Sequence, residues 1–129
     1  MSNEEEDRDL RERIRKRFPF GHPAFYDLIW EMCSIHSLKN KGYGGTNPLG
    51  NFMESERFGV PAWKGCLVRI TDKVSRIYNL TAKIDDPNYA DAVKMETLED
   101  TLIDLANYSL LCLILFKGRK KNEQTINSS

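Results

Sequence analysis

Glu96-Thr-Leu-Glu-Asp-Thr-Leu-Ile-Asp-Leu-Ala-Asn-Tyr-Ser-Leu-Leu-Cys-Leu-Ile-Leu-Phe116 is the stretch that decides how this chain folds. At about 100° per residue, Glu96, Asp100, Asp104 and Asn107 fall within one quadrant of a helix. Leu98, Leu102, Leu105, Ala106 and Leu113 fill the opposite arc. From Ser109 to Phe116 the segment is apolar nearly all round, the pattern of a buried helix rather than a surface one. Carboxylates carried toward an interior need a cation, because an unpaired buried charge costs several kcal/mol or neutralises itself. Either a metal ion or a basic stripe on a neighbouring helix meets that need.

Such a stripe lies upstream. Arg69, Asp72, Lys73 and Arg76 stand at i, i+3, i+4 and i+7, one continuous and mostly basic face, while Leu67, Ile70, Val74 and Ile77 form a separate apolar seam. The bland account of both stripes is a pair of solvated faces or ordinary salt bridges, since charge runs usually sit in water.

Between the helices, Lys39-Asn-Lys-Gly-Tyr-Gly-Gly-Thr-Asn-Pro-Leu-Gly-Asn51 carries four glycines and a proline and breaks any regular element. Gly42, Gly44 and Gly45 allow close backbone approach, and Lys39 and Lys41 put positive charge beside them. That combination suits phosphate, although the Gly-Lys-Ser/Thr ending of a P-loop is missing. Tyr43 and Trp63 are flat surfaces on which a base could stack. A plain turn anchored by Tyr43 is the competing account.

Three main helices follow from the periodicity: about 23 to 40, with Phe25, Leu28, Ile29, Met32 and Ile35 as its apolar set, about 62 to 82, and about 90 to 117. A short helical turn at 52 to 58 is expected within the long connector, and Asp85-Asp-Pro-Asn-Tyr89 separates the last two helices. The glycine-and-strand punctuation of an α/β fold is missing, so the expected class is all-α, a three-helix bundle with a long Gly-rich connector. Three helices seldom enclose so apolar a helix end, which implies completion by a second copy, a homo-oligomer. Residues 1–20 read as a charged tail or short helix, 21–117 as one all-α domain and 118–129 as a flexible tail.

With 19 basic and 19 acidic residues the net charge is zero, so no global field favours duplex DNA. The run Leu110 to Phe116 is too short to span a bilayer, and no signal peptide is visible, so no membrane partner is expected. Cys33, Cys66 and Cys112 have no metal-like spacing and sit in apolar helical contexts, as buried thiols of a reducing cytoplasm would.

The series Lys39-Asn-Lys-Gly-Tyr-Gly, Asn51-Phe, Trp63, Arg69-Ile-Thr-Asp-Lys-Val-Ser-Arg76 and Glu96 to Asn107-Tyr108 resembles the all-α, phage-borne nucleotide modification associated domain proteins. Those are similar to MazG-like nucleoside triphosphate pyrophosphohydrolases, and the resemblance covers roughly residues 23 to 116. It implies an oligomeric helical bundle, phage-encoded and acting in the host cytoplasm, that handles a nucleotide or a nucleotide-derived small molecule. It further implies carboxylates holding Mg²⁺ around a triphosphate while water releases pyrophosphate. Carried over residue by residue, Glu31, Glu96, Asp100 and Asp104 are the expected catalytic acids, the last three also the metal ligands. Lys39, Arg69, Lys73 and Arg76 would neutralise phosphate, and Tyr43, Trp63 and Asn107 would complete the nucleotide site. The family's first Glu-x-x-Glu pair is absent, because Glu31 is followed by Ser34 and Ile35. The second pair appears at four-residue spacing, as Glu96 and Asp100 or Asp100 and Asp104. The expected activity is therefore Mg²⁺-dependent pyrophosphohydrolysis, with non-catalytic nucleotide binding or sequestration as the alternative.

Overall fold

The computed structural model describes residues 2–42, 49–87 and 91–127, with side chains at 42, 91–96 and 120–127 outside the description. It is all-helical, 87% helix, with five α-helices and no strand among the described residues. The chain divides into two compact units, Met1–Gly45 and Thr46–Ser129.

In the first unit, α1 (Asn3–Arg17) starts at a capping box in which Ser2 and Glu5 satisfy each other's backbone N–H groups. Glu4, Glu5 and Glu6 occupy its first turn and Arg15, Lys16 and Arg17 its last, the arrangement the helix dipole favours. The charged N-terminal run is thus a helix of 15 residues. Arg15 grips both oxygens of Asp27 at 2.6 Å, tying α1 to α2 (Pro23–Gly42). Tyr26 donates from its hydroxyl to the Phe18 carbonyl at 2.9 Å at the same corner. Of the apolar set expected on α2, Met32 is buried and Ile35 half-buried, whereas Phe25, Leu28 and Ile29 stay exposed within this unit. The reason lies in α1, which offers only Leu10 and Ile14 as apolar partners among its charges.

In the second unit, α4 (Ala62–Ile84) and α5 (Asp91–Asn127) form an antiparallel hairpin. The short α3 (Gly50–Met53) and a 3₁₀ turn, Glu54–Phe58, lie across α4. The helix α5 runs to Asn127, ten residues past the expected end at 117, through a Lys/Arg/Glu/Gln-rich segment of good helix formers that absorbs the single Gly118. The core is small. Phe52, Cys66, Leu111 and Cys112 are buried, with Leu49, Ile70, Tyr108 and Leu115 packed around them. Leu110, Leu113 and Ile114 remain exposed, so among the described residues of this unit only one side of the apolar end of α5 is covered.

Two glycines set the approach of the 3₁₀ turn to α4. Gly59 adopts the left-handed conformation, φ 78°, that ends the turn. At Gly65 a Cβ would lie 2.6 Å from Ser55 Oγ and 2.9 Å from Ser55 Cβ. The Ser55 hydroxyl shares its one proton between the carbonyls of Val60 (3.0 Å) and Phe52 (3.3 Å), so it cannot retreat without losing that contact. We expect Gly65→Ala to lower stability by about 1–3 kcal/mol through overpacking. A urea midpoint equal to or above that of the parent chain would show that the turn moves away at no cost.

Candidate functional site

The hairpin register is set by contacts at several levels. The Cys66 thiol donates to the Tyr108 carbonyl and the Cys112 thiol to the Trp63 carbonyl, both at 3.5 Å. Further along the seam Lys73 Nζ lies 3.1 Å from Asp104 Oδ2, with the two side chains only 20% and 25% exposed. The basic stripe of α4 and the acidic stripe of α5 therefore meet here.

The same ammonium lies 5.7 Å from the centroid of the Tyr108 ring, and the Arg69 guanidinium stands 4.8 Å over Phe52. Phe52 and Tyr108 meet edge to face with centroids 5.6 Å apart. Two cations thus rest on two joined aromatic rings beside a carboxylate. Each cation–π contact is worth about 0.5–2 kcal/mol depending on desolvation, enough to hold both cations at the seam. Phe52 and Tyr108 had no assigned role in the sequence reading. Their signal was present in Asn51-Phe52 and in Tyr108 standing four residues after Asp104.

The other expected residues divide by location. Arg76 and Asp72 are exposed on α4, and Asp100 is exposed on α5. Antiparallel packing brings Arg76 and Asp100 to one level, a turn beyond the Lys73–Asp104 pair. Asn107 is half-buried. Trp63 lies ten residues before Lys73, about 15 Å along the axis. Its ring packs on Phe116 at 5.4 Å instead of on the stripe. Glu31 and Lys39 belong to α2 in the first unit and are exposed there. Tyr43 and the Glu96 side chain lie outside the described residues. Among the described residues no group of three or more His, Cys, Asp or Glu side chains is placed to hold a metal ion. Asp100 and Asp104 stand one turn apart on α5, the second of them paired with Lys73.

Cysteine chemistry at the seam is quiet. Cys66 and Cys112 are buried, whereas Cys33 is exposed, in contrast to the expectation of three buried thiols. The residues opposite α2 in its unit are too few to cover Cys33. Burial, then the neighbouring Cys112, pushes the Cys66 thiol up from 9.0 to about 11, against a smaller lowering by Arg69. The folded state thus holds the Cys66 proton more tightly than the unfolded chain. Its contribution to stability is complete below pH 9 and fades as pH rises toward 11. We expect a thiol reagent at pH 8 to modify only Cys33 in the native protein and all three thiols after denaturation. Urea midpoints are expected to fall between pH 9 and 11, with a smaller fall in Cys66→Ala. Rapid native labelling of two or more thiols would contradict this burial pattern.

Compared with protein families, with characterised proteins and with solved structures, the chain gives no match.

Proposed function

We propose that this chain binds a nucleotide, receiving its phosphates on the basic stripe of α4. The observation that carries the proposal is the seam at Lys73, where the ammonium is held between Asp104 and the Tyr108 ring. Arg69 sits one turn before it on Phe52, and Arg76 is exposed one turn after. These three cations span about 10 Å of helix. Arginine forks and a lysine point charge are the groups that recognise linked phosphates. Asn107 and the Tyr108 edge are the neighbouring polar and aromatic groups for the rest of the ligand.

The Lys73–Asp104 pair favours a non-catalytic binder, because the carboxylate that would hold a metal already has its charge compensated. A specific observation also favours hydrolysis of the MazG-like kind: Asp100 stands exposed at the level of Arg76, one turn from Asp104. In that form Asp100 and Asp104, with Glu96 a further turn away, would hold Mg²⁺. Bound there, the ion supplies polarisation of a phosphoryl oxygen and orientation of water. The resemblance to phage-borne proteins extends the proposal to a phage-encoded protein working in the host cytoplasm, as a homo-oligomer joined over the exposed edge at Leu110 and Ile114. Among the described residues, Thr97–Arg119 is long and apolar enough by composition to cross a membrane. Its partner α4 carries Lys64, Arg69, Asp72, Lys73 and Arg76, and each would cost about 2.5–3.5 kcal/mol at a bilayer centre. That cost favours an aqueous setting.

The test is incubation with the common nucleotides, with and without Mg²⁺, followed by mass spectrometry of bound and released species. Retained, unchanged nucleotide identifies the binder; Mg²⁺-dependent monophosphate and pyrophosphate identify the enzyme. We expect Arg76→Ala to weaken binding of the retained nucleotide about 10- to 100-fold, the loss of one charge-assisted contact, with an unchanged melting curve. If turnover is found, Asp100→Asn is expected to abolish most of it while the fold survives. Unaltered affinity in Arg76→Ala would remove the stripe from the site.

A further inference from the structure

At the end of the hairpin away from the charged seam, α4 and α5 leave a groove of about 380 Å³. Trp63, Leu67 and Ile70 line it from α4, and Cys112, Leu113 and Phe116 from α5, with Ser109 as its one polar neighbour. The volume is at the small end of the roughly 300–1,000 Å³ usual for small-ligand sites. The lining itself is uncharged, and the nearest charges stand beside one end of it. Trp63 and Phe116 stand edge to face there, 5.4 Å between centroids. The Arg119 guanidinium lies 4.4 Å from the Phe116 centroid and 5.6 Å from that of Trp63, and Lys64 Nζ lies 5.4 Å from Trp63. The N-terminus of α4 opens at the same end, following Pro61 with no side chain capping its first N–H groups. Two cations therefore lie against the two rings that close one end of the trough, beside the positive end of α4.

We infer that this groove binds an amphipathic carboxylate, its acyl or aryl body along Leu67, Ile70 and Leu113 and its carboxylate at Lys64 and Arg119. The charge pattern selects the ligand class. A neutral apolar molecule gains from the trough alone, whereas an anion with an apolar tail gains from both ends. A peptide helix or a second copy would lay apolar side chains along the trough but has no reason to end in a negative group at Trp63. The carboxylate end of the site, at Trp63, lies about 15 Å along α4 from Lys73, and its apolar end at Ile70 reaches the level of Arg69 about 100° round the helix.

Calorimetric titration of the unmodified full chain with decanoate below its micellar concentration and with decanol below its solubility limit tests the inference. Saturable 1:1 binding of decanoate, about tenfold tighter than decanol, is expected. In a Lys64→Gln/Arg119→Gln chain the two ligands should bind equally, while nucleotide retention stays as in the parent. Leu113→Glu alters an exposed side chain, so it should keep the melting curve and lose both ligands. In Trp30→Phe chain, where Trp63 is the sole tryptophan, decanoate should shift the emission at the same midpoint. Equal parental affinity for decanoate and decanol overturns the inference, as does absence of saturation. Binding that vanishes as the protein associates on concentration assigns the groove to a second copy instead. Loss of nucleotide retention in the double variant would assign it to the nucleotide site, and failure of nucleotide binding alone leaves the decanoate result standing.

Discussion

Everything in the second unit depends on how closely α4 can approach α5, and that approach is set at Cys66. Its side chain is 0% exposed and small enough for the α5 backbone to come within reach of its thiol, which donates to the Tyr108 carbonyl. One turn toward the open end the relation reverses, with Cys112 donating to the carbonyl of Trp63. Bonds from thiols are weak, but they are reciprocal, one from each helix, and they fix rotation and register together. A larger residue at 66 would push the helices apart at the level where Phe52 and Leu111 close the core. A one-turn slip would separate Lys73 from Asp104, leaving a partly buried carboxylate and an ammonium each without its compensating charge.

That dependence explains why the charged seam can exist in so small a core. Lys73 and Asp104 are only partly exposed, a position in which neither charge is comfortable alone. The aromatic pair Phe52 and Tyr108 provides the rest of the environment, since the negative faces of the rings accept the two cations that the carboxylate cannot neutralise by itself. Phe52 comes from α3, placed by Gly59 and Gly65, and Tyr108 from α5. The stripe on α4 is thus held from two sides by elements distant in sequence. Those contacts distinguish Arg69 and Lys73 from the solvated charges of α1.

The helical class was legible because apolar residues recur over many turns, and spacing placed Arg69, Lys73 and Asp104 on polar faces. The buried faces were not: Leu102 and Leu113 of the arc expected on α5, and Leu67 and Val74 of the seam expected on α4, are exposed, while Cys66, Leu111 and Cys112 form the core. What could not be seen was where a face points. Trp63 resembles a base-stacking surface in sequence. It lies some 120° round α4 from Arg69 and closes on Phe116 through a partner 53 positions later. On α2 the expected core set is regular, but a helix buries only what its neighbour can cover, and α1 presents mostly arginine and glutamate. The extension of α5 beyond 117 was hidden by charge, which marks a tail and a solvated helix equally well. Cys33 was misplaced for the same reason as Phe25: helical context predicts a face, not its cover.

The exposed apolar surface follows from the same mismatch. Over Ser109 to Phe116 α5 is apolar round most of its circumference, yet among the described residues of the second unit only α4 and the small α3 pack near it. A two-helix hairpin covers one arc, and here that arc holds Leu111, Cys112 and Leu115. The remaining apolar side chains fall on two separate arcs. Leu113 and Phe116 border the groove, and Leu110 and Ile114 point away from it. Full burial of an aliphatic side chain is worth about 1.5–3 kcal/mol, so each arc holds a driving force comparable to that of a weak complex. The groove arc lies beside Lys64 and Arg119, whereas the charge on the outer arc is Lys117, one turn past Ile114. The proposed anion site and the proposed self-association would thus draw on different arcs of one helix, and neither arc includes Lys73.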